Sequence, residues 1–228
     1  VEMFKDSIEK ATPKYVTVNN EKERLPYQQM EFGRAKSAIF FPLYIDNVYI
    51  GYWIIESGTP HDFDNVDTTV LEVIKDNIVS VRNFTDEDNK NPNIVIDRVG
   101  HGTHVAGIIA ANGNNNTVLG VAPWANLYIL KAIDRTGSGK VSWVVNAINY
   151  AVEKKVDIIS MSLGMANSDP KLEKAVKNAV NNNILVVCAA GNEGDGNADV
   201  FEYSYPASYV DVISVGAVDK KGVPAEFS

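Results

Sequence analysis

One cysteine, Cys188, in 228 residues excludes an intrachain disulfide and a thiolate cage for a metal. Positive charge is also scarce: 21 Lys and Arg stand against 29 Asp and Glu, for a formal net charge of -8. That balance argues against nucleic acid and anionic membranes as partners. No apolar run approaches the roughly 20 residues of a membrane span, so no membrane partner is expected. Histidine is confined to His61, His101 and His104. What remains is an ordinary globular composition, 45% hydrophobic, with enough apolar residues for a sizeable core. The length fits one large domain or two small ones. The lack of disulfides fits a reducing compartment. The chain opens on Val1 and stops at Ser228 inside an apparently structured stretch. Both ends read as cut, and the missing leader says little about location.

Residues 1–35 are polar, with Pro13 and Pro26 interrupting any long period and a short helix expected near Met3–Lys10. The runs Ala38–Ile45 and Val48–Ile55 are rich in β-branched and aromatic residues. They flank Asp46-Asn47, a pair that tolerates positive φ, which predicts a β-hairpin. Beyond Gly58 and Pro60, Asp64 is placed to cap a helix. Val66, Val70, Val73, Ile74, Ile78 and Val81 then follow helical spacing. This hairpin and helix, "FFPLYIDNVYIGYWIIE" and "FDNVDTTVLEVIKDNIVSV", resemble the C-terminal half of a GAF domain, a ligand-sensing module. Residues 1–36 are too short to supply the rest of such a module's pocket, so no bound ligand is expected.

At Asn83 a polar loop begins, and the domain boundary is placed there: 1–82 as a partial GAF-like segment, 83–228 as a second domain. Beyond it, helices are expected at His101–Ala111, Ser142–Lys154 and Pro170–Asn181. Strands are expected at Leu127–Ile133, Val156–Leu163, Ile184–Ala190 and Val210–Val218. The strands are continuous apolar runs, which predicts an α/β fold with a parallel sheet covered by helices on both faces.

The chemistry concentrates in three strings. In Gly100-His-Gly-Thr-His-Val-Ala-Gly107, the glycines are expected to thin a helix start so that it packs tightly. Two histidines three apart on a helix also suit half of a metal site, but no further His or Cys lies nearby to complete it. Cys188-Ala-Ala-Gly-Asn-Glu-Gly194 ends an apolar strand with an Asn able to donate a side-chain N–H to a developing oxyanion. Between them, Ser160-Met-Ser-Leu-Gly164 ends another strand. Ser162 lacks the tight turn into a helix that exposes a nucleophilic oxygen.

"GHGTHVAG", "SMSLG" and "AAGNEG" together resemble the subtilases, the subtilisin-like serine proteases of peptidase family S8. "LGVAPWANLYILKAI" and "YPASYVDVISVGAVDKKGVPAEFS" extend the likeness, with Trp124 where a small or polar residue is expected. The resemblance implies a serine endopeptidase with His101 as general base and Asn192 as oxyanion donor. His104 is expected to pack inward. Gly137, Ser138 and Gly139 on one side, and Ser162, Leu163 and Gly164 on the other, are implied as strand edges that pair with a peptide or protein substrate. Ala189, Ala190 and Gly191 complete a specificity pocket. Small walls favour large apolar side chains, while Glu193 at the rim also suits a basic one. The loop Ala111–Val118 is rich in oxygen donors, and the family places calcium there. That implies Asn114 by side chain and Asn112, Asn116 and Val118 by carbonyl.

Two parts of the family's triad are missing. The aspartate belongs in an Asp-Ser-Gly or Asp-Thr-Gly turn about thirty residues before His101, where this chain reads "TTVLEVIKDNIVSVRN". Asp97 is too close in sequence to return to His101 and is expected at the rim. The serine belongs in a Gly-Thr-Ser-Met-Ala turn about thirty residues past Ser228, and no such string occurs in the chain. The expectation is a subtilase by ancestry that does not hydrolyse peptides as this polypeptide. The alternatives are a GAF-like sensor and a pseudoprotease that captures peptides. The acidic balance and the "NFTDED" loop lean toward the intracellular branch of the family, hence the cytoplasm. Oligomeric state is not legible.

Overall fold

The computed structural model describes residues 5–10, 14–17, 37–45, 48–57, 77–113, 118–194, 202–225 and 227. It forms two compact units, Val1–Ser138 and Gly139–Ser228, each described by itself.

In the first unit, α1 (Lys5–Lys10) precedes β1 (Lys14–Thr17), β2 (Ser37–Ile45) and β3 (Val48–Ser57). The expected hairpin is present: β2 and β3 pair antiparallel, closing at Ile45↔Val48. Its turn, Asp46-Asn47, lies outside the described residues. β1 adds to the outer edge of β2. On the far side, β5 (Ile94–Asp97) pairs parallel with β3, so Ile94–Asp97 share a sheet with the hairpin. Ala38, Phe40, Val95 and Ile96 are buried in this layer.

The helix expected to run to Val81 is corrected at its end. Ile78–Asn83 is a strand, β4, paired parallel with β6 (Leu127–Lys131). The hydrogen-bonded partner strand decides the conformation of a valine-rich stretch that also fits helical spacing. Asn77 fixes the entry to β4: its side-chain amide donates to the Pro123 and Ala125 carbonyls at 2.8 and 3.0 Å. The rest of the expected helix, residues 64–76, lies outside the described residues.

Helix α2 (His101–Ala110) follows β5 directly. Its last carbonyls are capped by a distant segment. Gly120, Val121 and Ala122 donate their amides to Ala111, Ile108 and Ile109 at 2.6, 3.0 and 2.7 Å. A side chain at Gly120 would strike the helix backbone, so glycine is required there by close approach.

The second unit carries α3 (Val141–Glu153), β7 (Ile158–Met161), α4 (Pro170–Asn181), β8 (Leu185–Ala189) and β9 (Ile213–Val215). The strands form a parallel sheet in the order β7-β8-β9. Helix α3 buries Trp143, Val144, Ala147, Ile148 and Ala151, one stripe at helical spacing. Helix α4 does the same with Leu172, Ala175, Val176 and Ala179. Its start is legible in the sequence: Asp169 accepts from the amides of Lys171 and Leu172, and Pro170 occupies the first turn. Helix α4 packs on β8, and α3 on α4. Ile159, Met161, Val186 and Cys188 are buried on one side of the sheet. On the other side, Ile158, Leu185, Ile213 and Val215 are about half exposed.

Candidate active site

His101 is the first residue of α2, and its placement begins with Gly100. Gly100 holds the cap position at φ +84°, left-handed backbone that glycine adopts without penalty. It has no side chain to satisfy the free amides of the first turn. Asp97 does so instead, from the end of β5. One carboxylate oxygen accepts from Val99 N at 3.1 Å and Gly100 N at 2.8 Å. The other accepts from Thr103 N at 2.9 Å and the Thr103 hydroxyl at 2.6 Å. Burial pushes the Asp97 carboxyl upward, but the Thr103 hydroxyl and these amides outweigh it and hold the group below the ordinary aspartate value. Asp97 therefore caps the helix, and among the described residues none of its bonds goes to His101.

His101 is exposed. His104, expected to pack inward, is exposed as well. The glycine expectation is corrected too: a side chain at Gly107 or Gly100 would meet nothing within 4 Å, so tight packing does not explain them.

In the second unit, β8 ends at Ala189, and Ala190 extends its pairing through a 2.9 Å bond from its amide to the Val215 carbonyl. The chain then turns at Gly191, φ +126°, and delivers Asn192 exposed. The Asn192 backbone amide donates to the Glu193 carboxylate at 2.9 Å. Glu193 thus curls back over the turn, where a side chain on Gly191 would meet its carboxylate. A strand end followed by a left-handed glycine leaves Asn192 exposed, and among the described residues its side-chain amide has no hydrogen-bond partner, as a donor to an oxyanion requires.

Ser162 and Gly164 are exposed and Leu163 half-buried, directly after β7. No helix begins there until Pro170. The free edge ends at Gly164, because Met165 and Tyr205 exchange two backbone bonds of 2.9 Å. Ser204 was not singled out from the sequence. It is buried, and side chains built on Gly164 or Gly191 would both run into it. Gly164 and Gly191 therefore converge on one hydroxyl. Its string, "YSYPAS", lies within the stretch that extended the resemblance, but only the packing shows that it faces both glycines.

Gly137 and Ser138 belong to a turn organised by Asp134. Gly137 N donates to the Asp134 carbonyl at 3.1 Å, and Asp134 N to the Ser138 carbonyl at 2.8 Å. The Asp134 carboxylate accepts from Thr136 N, the Thr136 hydroxyl and Ser138 N at 2.8, 2.6 and 3.2 Å. The Thr136 hydroxyl bond leads the influences that hold Asp134 below its ordinary value. Among the described residues no partner is found for the Gly137 carbonyl or for either backbone group of Gly139. Those are the groups this edge still offers.

Of the implied calcium donors, Asn112 pairs across its loop with Leu119, and Val118 is exposed. Asn114 and Asn116 lie outside the described residues. Among the described residues, no three His, Cys, Asp or Glu side chains group to hold a metal. No helix there is long and apolar enough to cross a membrane. Cys188 is buried in β8, and burial pushes its thiol up to about 12, which leaves it unreactive as a nucleophile.

Comparison with known proteins agrees with these strings. The subtilase family, Peptidase S8, matches residues 25–228. The major intracellular serine protease of Bacillus subtilis (strain 168) is 54% identical over 156 residues, 68% of this chain and 49% of that protein. The intracellular serine protease of Paenibacillus polymyxa is 54% identical over 155 residues, 68% of this chain and 48% of that protein. Subtilisin E of Bacillus subtilis (strain 168) is 48% identical over 128 residues, 56% of this chain and 33% of that protein. The chain thus spans about half the length of the intracellular relatives. With parallel sheets, flanking helices and a family match over most of its length, the chain belongs to the subtilase family.

Proposed function

We propose that the chain carries half of the machinery of a serine endopeptidase acting on peptides or proteins. In this reading His101 is the general base and Asn192 the oxyanion donor. The observation that carries it is that both sit at element ends that present them to solvent: one behind a left-handed glycine capped by Asp97, the other after the left-handed turn at Gly191. A general base needs an accessible imidazole on a fixed backbone. An oxyanion donor needs an uncommitted N–H. The walls Ser162–Gly164 and Ala189–Gly191, closing on Ser204, form the specificity pocket. Its floor is polar and its sides small, which suits a large side chain with a polar tip as well as an apolar one. Glu193 is engaged by Asn192 N and is less available to a basic side chain than its rim position implied.

This polypeptide does not turn over peptides at a useful rate, because it contains no Gly-Thr-Ser-Met-Ala string. Loss of the nucleophile from such a triad costs about a millionfold, a figure that belongs to subtilisin itself. Incubation with a chromogenic peptide and a fluorophosphonate probe is expected to give neither turnover nor labelling. Robust hydrolysis with a labelled serine would overturn this. Peptide capture without cleavage is a second activity, supported by the Gly137 carbonyl and the Gly139 backbone groups, for which no partner is found among the described residues. The relatives named as intracellular, the acidic balance and the single cysteine support a cytoplasmic setting.

The loop from Asn112 to Val118 is proposed as a calcium site. The Asn112↔Leu119 pairing brings the two ends of this asparagine-rich stretch together, and calcium takes carbonyl and amide oxygens. Calcium at 100 times its dissociation constant would add about 2.7 kcal/mol to stability. The thermal midpoint is expected to rise with calcium and to return on chelation, with no response to magnesium. An unchanged midpoint at millimolar calcium would remove the site.

A further inference from the structure

Glu87, in the "NFTDED" loop, has no role in the chemistry above, yet its carboxylate is nearly buried amid three cations. One oxygen lies 3.2 Å from Lys131 Nζ and 3.5 Å from Arg98. That oxygen is at ion-pair distance without hydrogen-bonding geometry. The other oxygen lies 3.2 Å from Arg135 Nε and accepts from the Arg135 backbone amide at 3.3 Å. Arg135 is the second residue of the turn that Asp134 organises from within. Glu87 therefore grips that turn from outside, by main chain and side chain together.

The loop that delivers Glu87 is itself held in an uncommon conformation. Asp88, Asn89 and Lys90 follow one another at φ 53°, 55° and 58°. Consecutive non-glycine residues in left-handed backbone are costly and persist only where surrounding bonds over-determine them. Those bonds are present. Arg98 forks onto the Asp88 carboxylate at 2.8 and 3.4 Å. Buried Asn83 takes the Thr85 amide and hydroxyl at 2.9 and 2.7 Å. Asn83 N and Phe84 N reach the Pro92 and Lys131 carbonyls at 2.8 and 2.9 Å. A rigid, strained loop thus aims one carboxylate at one turn.

We infer that Glu87 is a positioning residue for the peptide-binding edge, setting the Asp134–Ser138 turn through Arg135 so that the Gly137 carbonyl and Gly139 face a peptide backbone. This rests on the reading that Gly137–Gly139 meets a peptide. The test uses the full chain, labelled with 15N and titrated with acetyl-Ala-Ala-Ala-Phe-amide, in wild type, E87Q, R135A and R135K. Peptide is expected to move the Gly137–Gly139 amide resonances of the wild type. R135A removes a half-exposed side chain and is expected to keep the thermal midpoint, shift the free-state amides of Thr136–Ser138 and weaken the peptide about twofold. R135K restores the cation and is expected to recover affinity. E87Q, at a nearly buried carboxylate, is expected to weaken the peptide more than R135A does. Wild-type affinity in R135A and E87Q, with only a lowered midpoint in E87Q, would reduce Glu87 to structural support and overturn the inference. Should E87Q fail to fold, the R135A and R135K pair decides alone. A wild type whose glycine amides ignore the peptide sinks the underlying cleft reading. The free-state shifts of Thr136–Ser138 then still decide whether Glu87 sets the turn.

Discussion

Asp97 shows how bonds assign a side chain to which its place in the sequence gives no role. Four residues before His101, it is too close to return to that imidazole. The structure gives both its oxygens to the amides of Val99, Gly100 and Thr103 and the Thr103 hydroxyl. Substituting Asn keeps one acceptor oxygen and turns an N–H₂ toward donors. D97N should cost about 1–2 kcal/mol, the range for a lost helix cap. Because the folded-state value is depressed, the charged form stabilises the fold above the unfolded value of about 3.9. That contribution fades as pH falls through the lower folded value. Urea unfolding of wild type and D97N should therefore differ at pH 7 and converge toward pH 3. An equal gap at both pH values would mean that the carboxylate charge is not what holds the start of α2.

Two glycines, one within α2 and one packed on its C-terminal end, separate local from tertiary demands at the scale of the element. A side chain on Gly120 would fall 2.6 Å from Ala111 N, 2.7 Å from Ala110 N and 2.8 Å from the Ile109 carbonyl carbon, all backbone. Nothing there can yield, so G120A is expected to cost about 1–3 kcal/mol. Gly107 lies inside the helix with open space beside it, and G107A should gain about 0.5–1 kcal/mol. Thermal melts of the two variants should move in opposite directions. Equal behaviour would refute the view that residues 120–122 cap the helix. The contrast also marks what the sequence discloses. Helices α3 and α4 are legible because their apolar stripes and the Asp169-Pro170 start are local signals. The motif strings placed His101 and Asn192 for the same reason. β4 is not legible, since Ile78–Asn83 fits a helical period equally well until β6 pairs with it. Neither Ser204 nor Glu87 is legible either, because each is defined by residues distant in the chain.

For the whole molecule, the parallel sheet of the second unit is the feature with the widest consequence. Its register places Ile158 beside Leu185, Val187 beside Ile213 and Ala189 beside Val215, so these residues share one face. Ile158, Leu185, Ile213 and Val215 are 56%, 55%, 48% and 50% exposed. Parallel sheets are ordinarily covered on both sides, and an apolar face of this kind drives association. The folded chain is expected to enhance the fluorescence of an apolar dye such as ANS and to show concentration-dependent association in sedimentation. L185K places a charge in the middle of that face at a position already half exposed. It should reduce both signals while leaving the unfolding free energy within about 0.5 kcal/mol of wild type. A wild type that stays monomeric at concentrations on the order of 100 μM without enhancing the dye would show that this face is covered in solution.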